Sequence, residues 1–202
     1  MKKGKDALLA KEIEREHLMW RMFKEGDKSA YAYFYETYAT FLFRYGCKIM
    51  TDRELVKDCM HDLFTELWRN KTNLSNPESI KNYLVKSLRN KLVRETLKQA
   101  KLVRDEAVAE HEFGYSTSRE LDLMNCEAKS ETEKKLIKAL RNLSNRQKEI
   151  IFLLYYNNLS PAEVAGIMSV SVRTIYNTTF NAIQSLKSEM AIISILLLLG
   201  ES

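Results

Sequence analysis

Turn residues are scarce in this chain: 6 glycines and 2 prolines among 202 residues. An all-β protein needs turns every few positions, so this shortage excludes a sandwich or barrel and favours helices. Cysteine is scarce too. Cys47, Cys59 and Cys126 form no Cys-x-x-Cys pair, and His17, His61 and His111 stand at no ligand spacing to them. A zinc module and a disulfide framework are thereby disfavoured, and the pattern fits a reducing cytosol. A long apolar run is missing as well. The most apolar stretch, Ala191 to Leu199, spans nine residues, where a membrane-spanning helix needs roughly 20. It reads as an extension of the last helix that packs on something. The charged opening MKKGKDALLAKEIEREH has no apolar signal core. There is also no glycine-rich phosphate loop and no nucleophile motif. Asp58 and Asp62 lie one turn apart but have no Glu-x-x-His partners, so they make a poor metal site. Neither a cofactor, a metal nor enzymatic chemistry is expected.

What is present is a soluble globular mixture, 45% apolar and 29% charged, sufficient for one or two small cores. The net charge of +5 is unevenly spread. Residues 1–100 hold 20 lysines and arginines against 14 acids, residues 101–130 hold 4 against 7, and residues 131–202 hold 8 against 6. Two basic blocks flank an acidic one, which suits phosphate-bearing partners.

Apolar periodicity predicts a helix over residues 8–25, with Leu8, Ile13, Leu18, Met19, Met22 and Phe23, ending at Gly26-Asp27. A second helix over 28–50 carries an aromatic face: Tyr31, Phe34, Tyr35, Tyr38, Phe41 and Tyr45. In a third, over 52–69, Val56, Met60, Leu63, Phe64 and Leu67 form one stripe. Residues 70–79 are polar and read as a loop, with Asn76 as a candidate cap and Pro77 at the first position of the next helix. That helix runs from about 79 to 102, with Lys81, Lys86, Arg89, Lys91, Arg94 and Lys98 against the single acid Glu95. Residues 103–130 lose periodicity and turn acidic, which marks a linker.

Beyond the linker, helix starts are written in capping boxes: Ser130 with Glu133, Ser144 with Gln147, and Ser160 with Glu163 behind Pro161. Ser171 can cap a fourth helix. The last two helices, joined by a tight turn near residues 168–171, describe a helix-turn-helix with two supporting helices. Ile175, Thr179, Ala182, Ile183 and Leu186 are spaced to face its core. Arg173, Thr174, Tyr176 and Asn177 are spaced to face solvent, where the second helix of such a unit meets base edges. Arg173 can pair with guanine or phosphate, and Asn177 with adenine. The expected fold is all-α, with two small helical domains: residues 1–102, and residues 131–202 with their apolar extension, joined by the acidic linker.

Two blocks together resemble a known family. The first is Gly26-Asp27, Ala30-Tyr31, Phe34-Tyr35 and Tyr38, then Asp58, His61-Asp62, Phe64 and Leu67-Trp68, then Tyr83-Leu84 and Arg89-Asn90. It resembles region two of the extracytoplasmic-function (ECF) sigma factors of RNA polymerase. The second is Leu143-Ser144, Arg146-Gln147 and Ile150, then Leu159-Ser160, Glu163-Val164-Ala165, Met168, Val170-Ser171 and Thr174-Ile175. It is similar to their region four. The likeness covers residues 20–100 and 130–188.

The resemblance implies a factor that binds core RNA polymerase and directs promoter-specific initiation in the cytoplasm. It implies docking on the β′ clamp helices by Asp58, His61, Asp62, Phe64 and Trp68, although the residue types of Phe64 and Trp68 speak for core packing. His61 stands where the family usually has glutamine. It implies capture of a flipped −10 base by the segment holding Lys71, Asn73 and Asn76, and tracking of the strand by Arg89, Asn90, Arg94 and Lys98. Region four reads the −35 element, here with Ser171, Arg173, Thr174, Tyr176, Asn177 and Asn181, and meets the β flap. The family usually has a basic residue near Tyr176 and an arginine near Asn181. Their absence leaves Arg173 as the one cation before Lys187. Such factors are commonly held by an anti-sigma factor, often membrane-bound, which is a further expected partner, and exposed apolar surface including residues 192–199 is its expected contact. The alternative from the residues alone is a stand-alone helix-turn-helix regulator. A ligand-sensing domain, however, has no need for both the Asp58–Trp68 block and the basic helix after it.

Overall fold

The computed structural model describes the backbone of residues 2–103 and 139–200 and the side chains of residues 11–98 and 139–188. The described residues are helical with short connections. The chain divides into two units: Met1–Gly46 with Asp52–Asp105, and Glu106–Ser202 with Cys47–Thr51. The predicted cap at Ser130 and all but the first residue of the predicted linker lie outside the described residues.

The first unit opens with α1 (Lys2–Glu25), longer than the periodicity predicts. It ends in a Schellman motif. Gly26 takes φ +95, its N–H reaches the Phe23 carbonyl, and the Asp27 N–H reaches that of Met22. Asp27 then caps α2 (Lys28–Ile49) by accepting from the Ser29 and Ala30 N–H groups and from the Ser29 hydroxyl. These bonds, led by the Ser29 hydroxyl, hold the Asp27 carboxyl below its ordinary pKa. Asp52 caps α3 (Arg53–Arg69) through the N–H groups of Glu54 and Leu55. The predicted α3 stripe is buried as expected, with Cys59 added to it. Burial also raises the Cys59 thiol pKa.

A short 3₁₀ turn (Lys71–Asn73) and an irregular stretch lead to α4 (Ile80–Val103). Here one expectation is corrected. The cap of α4 is Ser79, whose hydroxyl accepts from the Asn82 N–H at 3.2 Å. Asn76 lies too far upstream for that role, and its side-chain oxygen accepts from Lys24 instead. Ile80, Leu84, Val85, Leu88 and Leu92 form the buried side of α4.

Rings bind these helices together. Trp20 stacks on Phe23 and meets Phe34 and Tyr83 edge-on. Trp68 meets Phe23 and Tyr31, and Phe64 meets Tyr31 and Tyr35. Such pairs add about 0.5–1.5 kcal/mol each beyond their buried area. Periodicity placed Ile13 and Leu18 among the apolar signals of α1, yet both are exposed, and Trp20 fills the core instead.

The described part of the second unit begins at the end of a helix with buried Ala139, followed by Leu143 in the core. The two predicted capping boxes that lie within the described residues both form. Ser144 and Gln147 exchange bonds at the start of α5 (Asn145–Ile151). Ser160 and Glu163 do so at α6 (Pro161–Met168), with Pro161 in its first turn. Between them lies a π turn (Phe152–Tyr156), in which the Asn157 N–H reaches five residues back to the Phe152 carbonyl. The helix-turn-helix turn holds Ser169 in left-handed backbone at φ 55. Ser171 then caps α7 (Val172–Gly200) by accepting from the Thr174 N–H at 3.1 Å. The core is Leu143, Ile150, Leu153, Leu159, Val164, Ala165, Ile167, Met168, Ile175 and Ala182. Glu149 is fully enclosed in it, with a partner. Among the described residues no helix is long and apolar enough to cross a membrane.

Candidate nucleic-acid interface

The first unit presents three neighbouring surfaces. On α3, burial of the stripe leaves Asp58, His61 and Asp62 exposed together, one turn apart. They form a compact polar patch of two carboxylates and an imidazole. Phe64, placed in the docking set by resemblance, is 2% exposed and locked between Tyr31 and Tyr35. Its role is packing, as its residue type suggested, since an enclosed ring cannot touch a partner. Trp68 is half-buried against Phe23 and Tyr31, and the Lys71 ammonium lies 4.5 Å from its ring centroid. It belongs mainly to the core edge.

The second surface is the segment 70–76. Asn70, Thr72, Asn73, Ser75 and Asn76 are exposed. Lys71 is half-buried, donating to the Trp68 carbonyl at 3.3 Å while it covers the ring. The three residues expected to hold a base are therefore not equivalent: Asn73 is open, Lys71 is folded onto Trp68, and Asn76 is held by Lys24 at 3.0 Å.

The third surface is α4. Asn90, Arg94 and Lys98 recur every four residues and are all exposed, so they form one row. Lys98 leans on Glu95 at 2.6 Å, a surface pair worth little and easily exchanged. Arg89 is half-buried and already partnered. Lys81 and Lys91 are also engaged: Lys81 lies over the Phe41 ring and Lys91 binds Glu66 at 2.5 Å. The free-facing charge of α4 is thus narrower than the count of its lysines and arginines.

In the second unit, α7 shows two parallel stripes. Arg173, Asn177 and Asn181 are exposed at four-residue spacing, with Ser171 and the half-buried Thr174 at the helix start. The Ser171 and Thr174 hydroxyls are 2.7 Å apart and occupied with each other. Beside the polar stripe runs an apolar one: Val172, Tyr176 at 60% exposure and Phe180 at 62%. Tyr176 was expected at this surface; Phe180 was not, although its four-residue step from Tyr176 carried the signal. Ile175 and Ala182 are buried as predicted, with Thr179, Ile183 and Leu186 half-buried. The arrangement can place one cation and two carboxamides against a groove.

A capped helix-turn-helix whose second helix offers such a face is the arrangement with which this class of unit meets DNA. Residues 133–186 match the family model described as Sigma-70, region 4. The chain shares its fold with CnrH, solved in complex with the cytosolic domain of CnrY. The TM-score is 0.58 at 16% identity, over 88% of this chain and 97% of that one. It is also similar to the sigma factor RpoE of Bartonella quintana, solved in complex with the anti-sigma factor NepR. There the TM-score is 0.52 at 20% identity, over 76% and 91% of the two chains. No curated protein matches the chain in sequence. Residues 133–186 therefore form a sigma-70 region 4 domain, and the chain has the fold of these two solved structures.

Proposed function

We propose that the chain is an RNA polymerase sigma factor of the extracytoplasmic-function type that works through two domains, residues 1–102 and 131–202, with residues 103–130 as the linker. Asp58, His61 and Asp62 on α3 dock on the β′ clamp helices of core RNA polymerase, with Trp68 at the edge of that contact. The segment 70–76 receives an unpaired base of the −10 element, Asn73 being its most open side chain, and the row Asn90, Arg94 and Lys98, with Arg89 beside it, follows the strand. Arg173, Thr174, Tyr176, Asn177 and Asn181 meet the −35 element, with Ser171 at the helix start, and the same domain meets the β flap. The factor works in the cytoplasm, and an anti-sigma factor is its regulator.

The observation that carries this reading is the region 4 match lying on a helix-turn-helix whose second helix exposes Arg173 and Asn177. Run-off transcription tests it, using purified core polymerase and genomic promoter fragments with and without the protein. Discrete transcripts that need both components are the expected result. Absence of transcripts together with failure to co-migrate with core polymerase overturns the reading in favour of a stand-alone regulator.

A further inference from the structure

Trp20 makes a contact that the reading above does not use. Its indole is 1% exposed and enclosed by Phe23, Phe34 and Tyr83. A buried indole N–H needs an acceptor. This one donates to the backbone carbonyl of Ser75 at 2.9 Å, across 55 residues of sequence. One turn further along α1, the Lys24 ammonium donates to the Asn76 side-chain oxygen at 3.0 Å. At the helix end, a Cβ added to Gly26 would meet the Lys71 side chain at 3.3 Å. The last turns of α1 thus bond to the segment 70–76 at two points, and the glycine that follows lies close to a third.

The other anchors of the segment lie at its start, where the Asn70 N–H reaches the Glu66 carbonyl and Lys71 is held on the Trp68 carbonyl and ring. Five of its seven residues are exposed. Its internal backbone bonds are those of the short turn, from the Asn73 N–H to the Asn70 carbonyl and from the Leu74 N–H to the Lys71 carbonyl. An exposed segment of this kind otherwise loses its conformational freedom when a ligand arrives, and that loss is subtracted from affinity.

We propose that Trp20 and Lys24 are positioning residues that set the segment 70–76 in its strand-receiving conformation before DNA binds. The Trp20 bond fixes the backbone at Ser75. The Lys24 bond occupies the oxygen of Asn76 and leaves its N–H₂ group to meet a base. This inference rests on the proposal that the segment receives an unpaired base.

The test uses holoenzyme rebuilt from core polymerase and the full-length chain. The probe is a labelled single strand spanning the −10 element of a promoter found by run-off, either intact or with one abasic nucleotide scanned along it. For wild type, one abasic position weakens binding. Trp20→Phe keeps an aromatic ring in the cluster but removes the N–H with the five-membered ring that carries it, and is expected to weaken binding of the intact strand by up to about tenfold, the usual reach of one hydrogen bond. It leaves the affinity for the strand abasic at that position unchanged. Lys24→Gln acts in the same direction by a smaller factor, and Lys24→Arg restores wild-type affinity. Lys24 lies at the surface, so its variants keep the test open should Trp20→Phe fold poorly. Equal weakening on intact and abasic strands, or no weakening on either, overturns the positioning role. If wild type shows no abasic effect at any position, base capture by the segment fails first, and the inference fails with it.

Discussion

Two glycines inside helices make opposite demands. At Gly46 an added Cβ would stand 2.6 Å from a methyl of Val56, itself fully buried and stiff through β-branching. Gly46→Ala gains about 1 kcal/mol of helix propensity but meets an overpacking cost of about 1–3 kcal/mol. The net expectation is a lower urea midpoint for the first unit. At Gly166 an added Cβ meets nothing within 4 Å. Gly166→Ala should therefore stabilise the second unit by about 0.5–1 kcal/mol. Thr179 offers another gain. Its hydroxyl oxygen is enclosed without a partner, so Thr179→Val should raise the stability by about 1 kcal/mol, the cost of a desolvated and unbonded polar group, and the urea midpoint with it. Circular dichroism during urea unfolding checks all three. At this scale the sequence was legible where spacing alone decides. The α3 stripe and the Ile175 face follow from periodicity. Trp20 did not, because neighbouring Leu18 and Met19 carry the same apolar signal, and the choice between them is made by rings from other helices.

At the scale of elements, helix starts were read well because a cap is a local device. Ser144, Ser160 and Ser171 each accept the N–H three residues on. Asn76-Pro77 looks equally like a start, yet the true cap is Ser79. Asn76 lies upstream of the helix, and its side-chain oxygen is engaged by Lys24, a tertiary contact that no local pattern carries. Ser160→Ala removes half of a reciprocal box and should destabilise the helix-turn-helix by about 1 kcal/mol. The Asp27 cap predicts a pH dependence. Its carboxyl pKa is lowered in the folded state, so its contribution is fully present above the unfolded value, about 3.9. It is lost as pH falls through the lower folded value. The difference in melting midpoint between wild type and Asp27→Ala should be clear at neutral pH and shrink at the acid end of a titration.

At the scale of the molecule, the order of the two helical blocks and the basic, acidic, basic distribution were legible, because both are one-dimensional properties. Which basic residues remain exposed was not, since Phe41 and Glu66 take up Lys81 and Lys91. The recognition helix carries a single cation before Lys187. Promoter binding should therefore depend on salt mainly through the first unit. If Arg173 meets a phosphate, Arg173→Gln should lower the log–log salt slope by about 0.9, the value for one lost phosphate contact. If it reads a guanine, the slope should stay nearly fixed while sequence preference at one position relaxes. Holoenzyme binding to the promoter across a salt series separates these outcomes.

The ring cluster of the first unit has an optical consequence. The chain has 2 tryptophans, and both, Trp20 and Trp68, belong to that cluster. Selective indole excitation therefore reports the first unit alone, while backbone dichroism reports both units. The two signals together resolve whether the units melt as one transition or two. The same indoles touch the segment 70–76, Trp20 through the Ser75 carbonyl and Trp68 under the Lys71 ammonium. A strand that rearranges this segment should change the emission of both, so that single-stranded DNA can be titrated against the unlabelled protein with the chromophores it already carries.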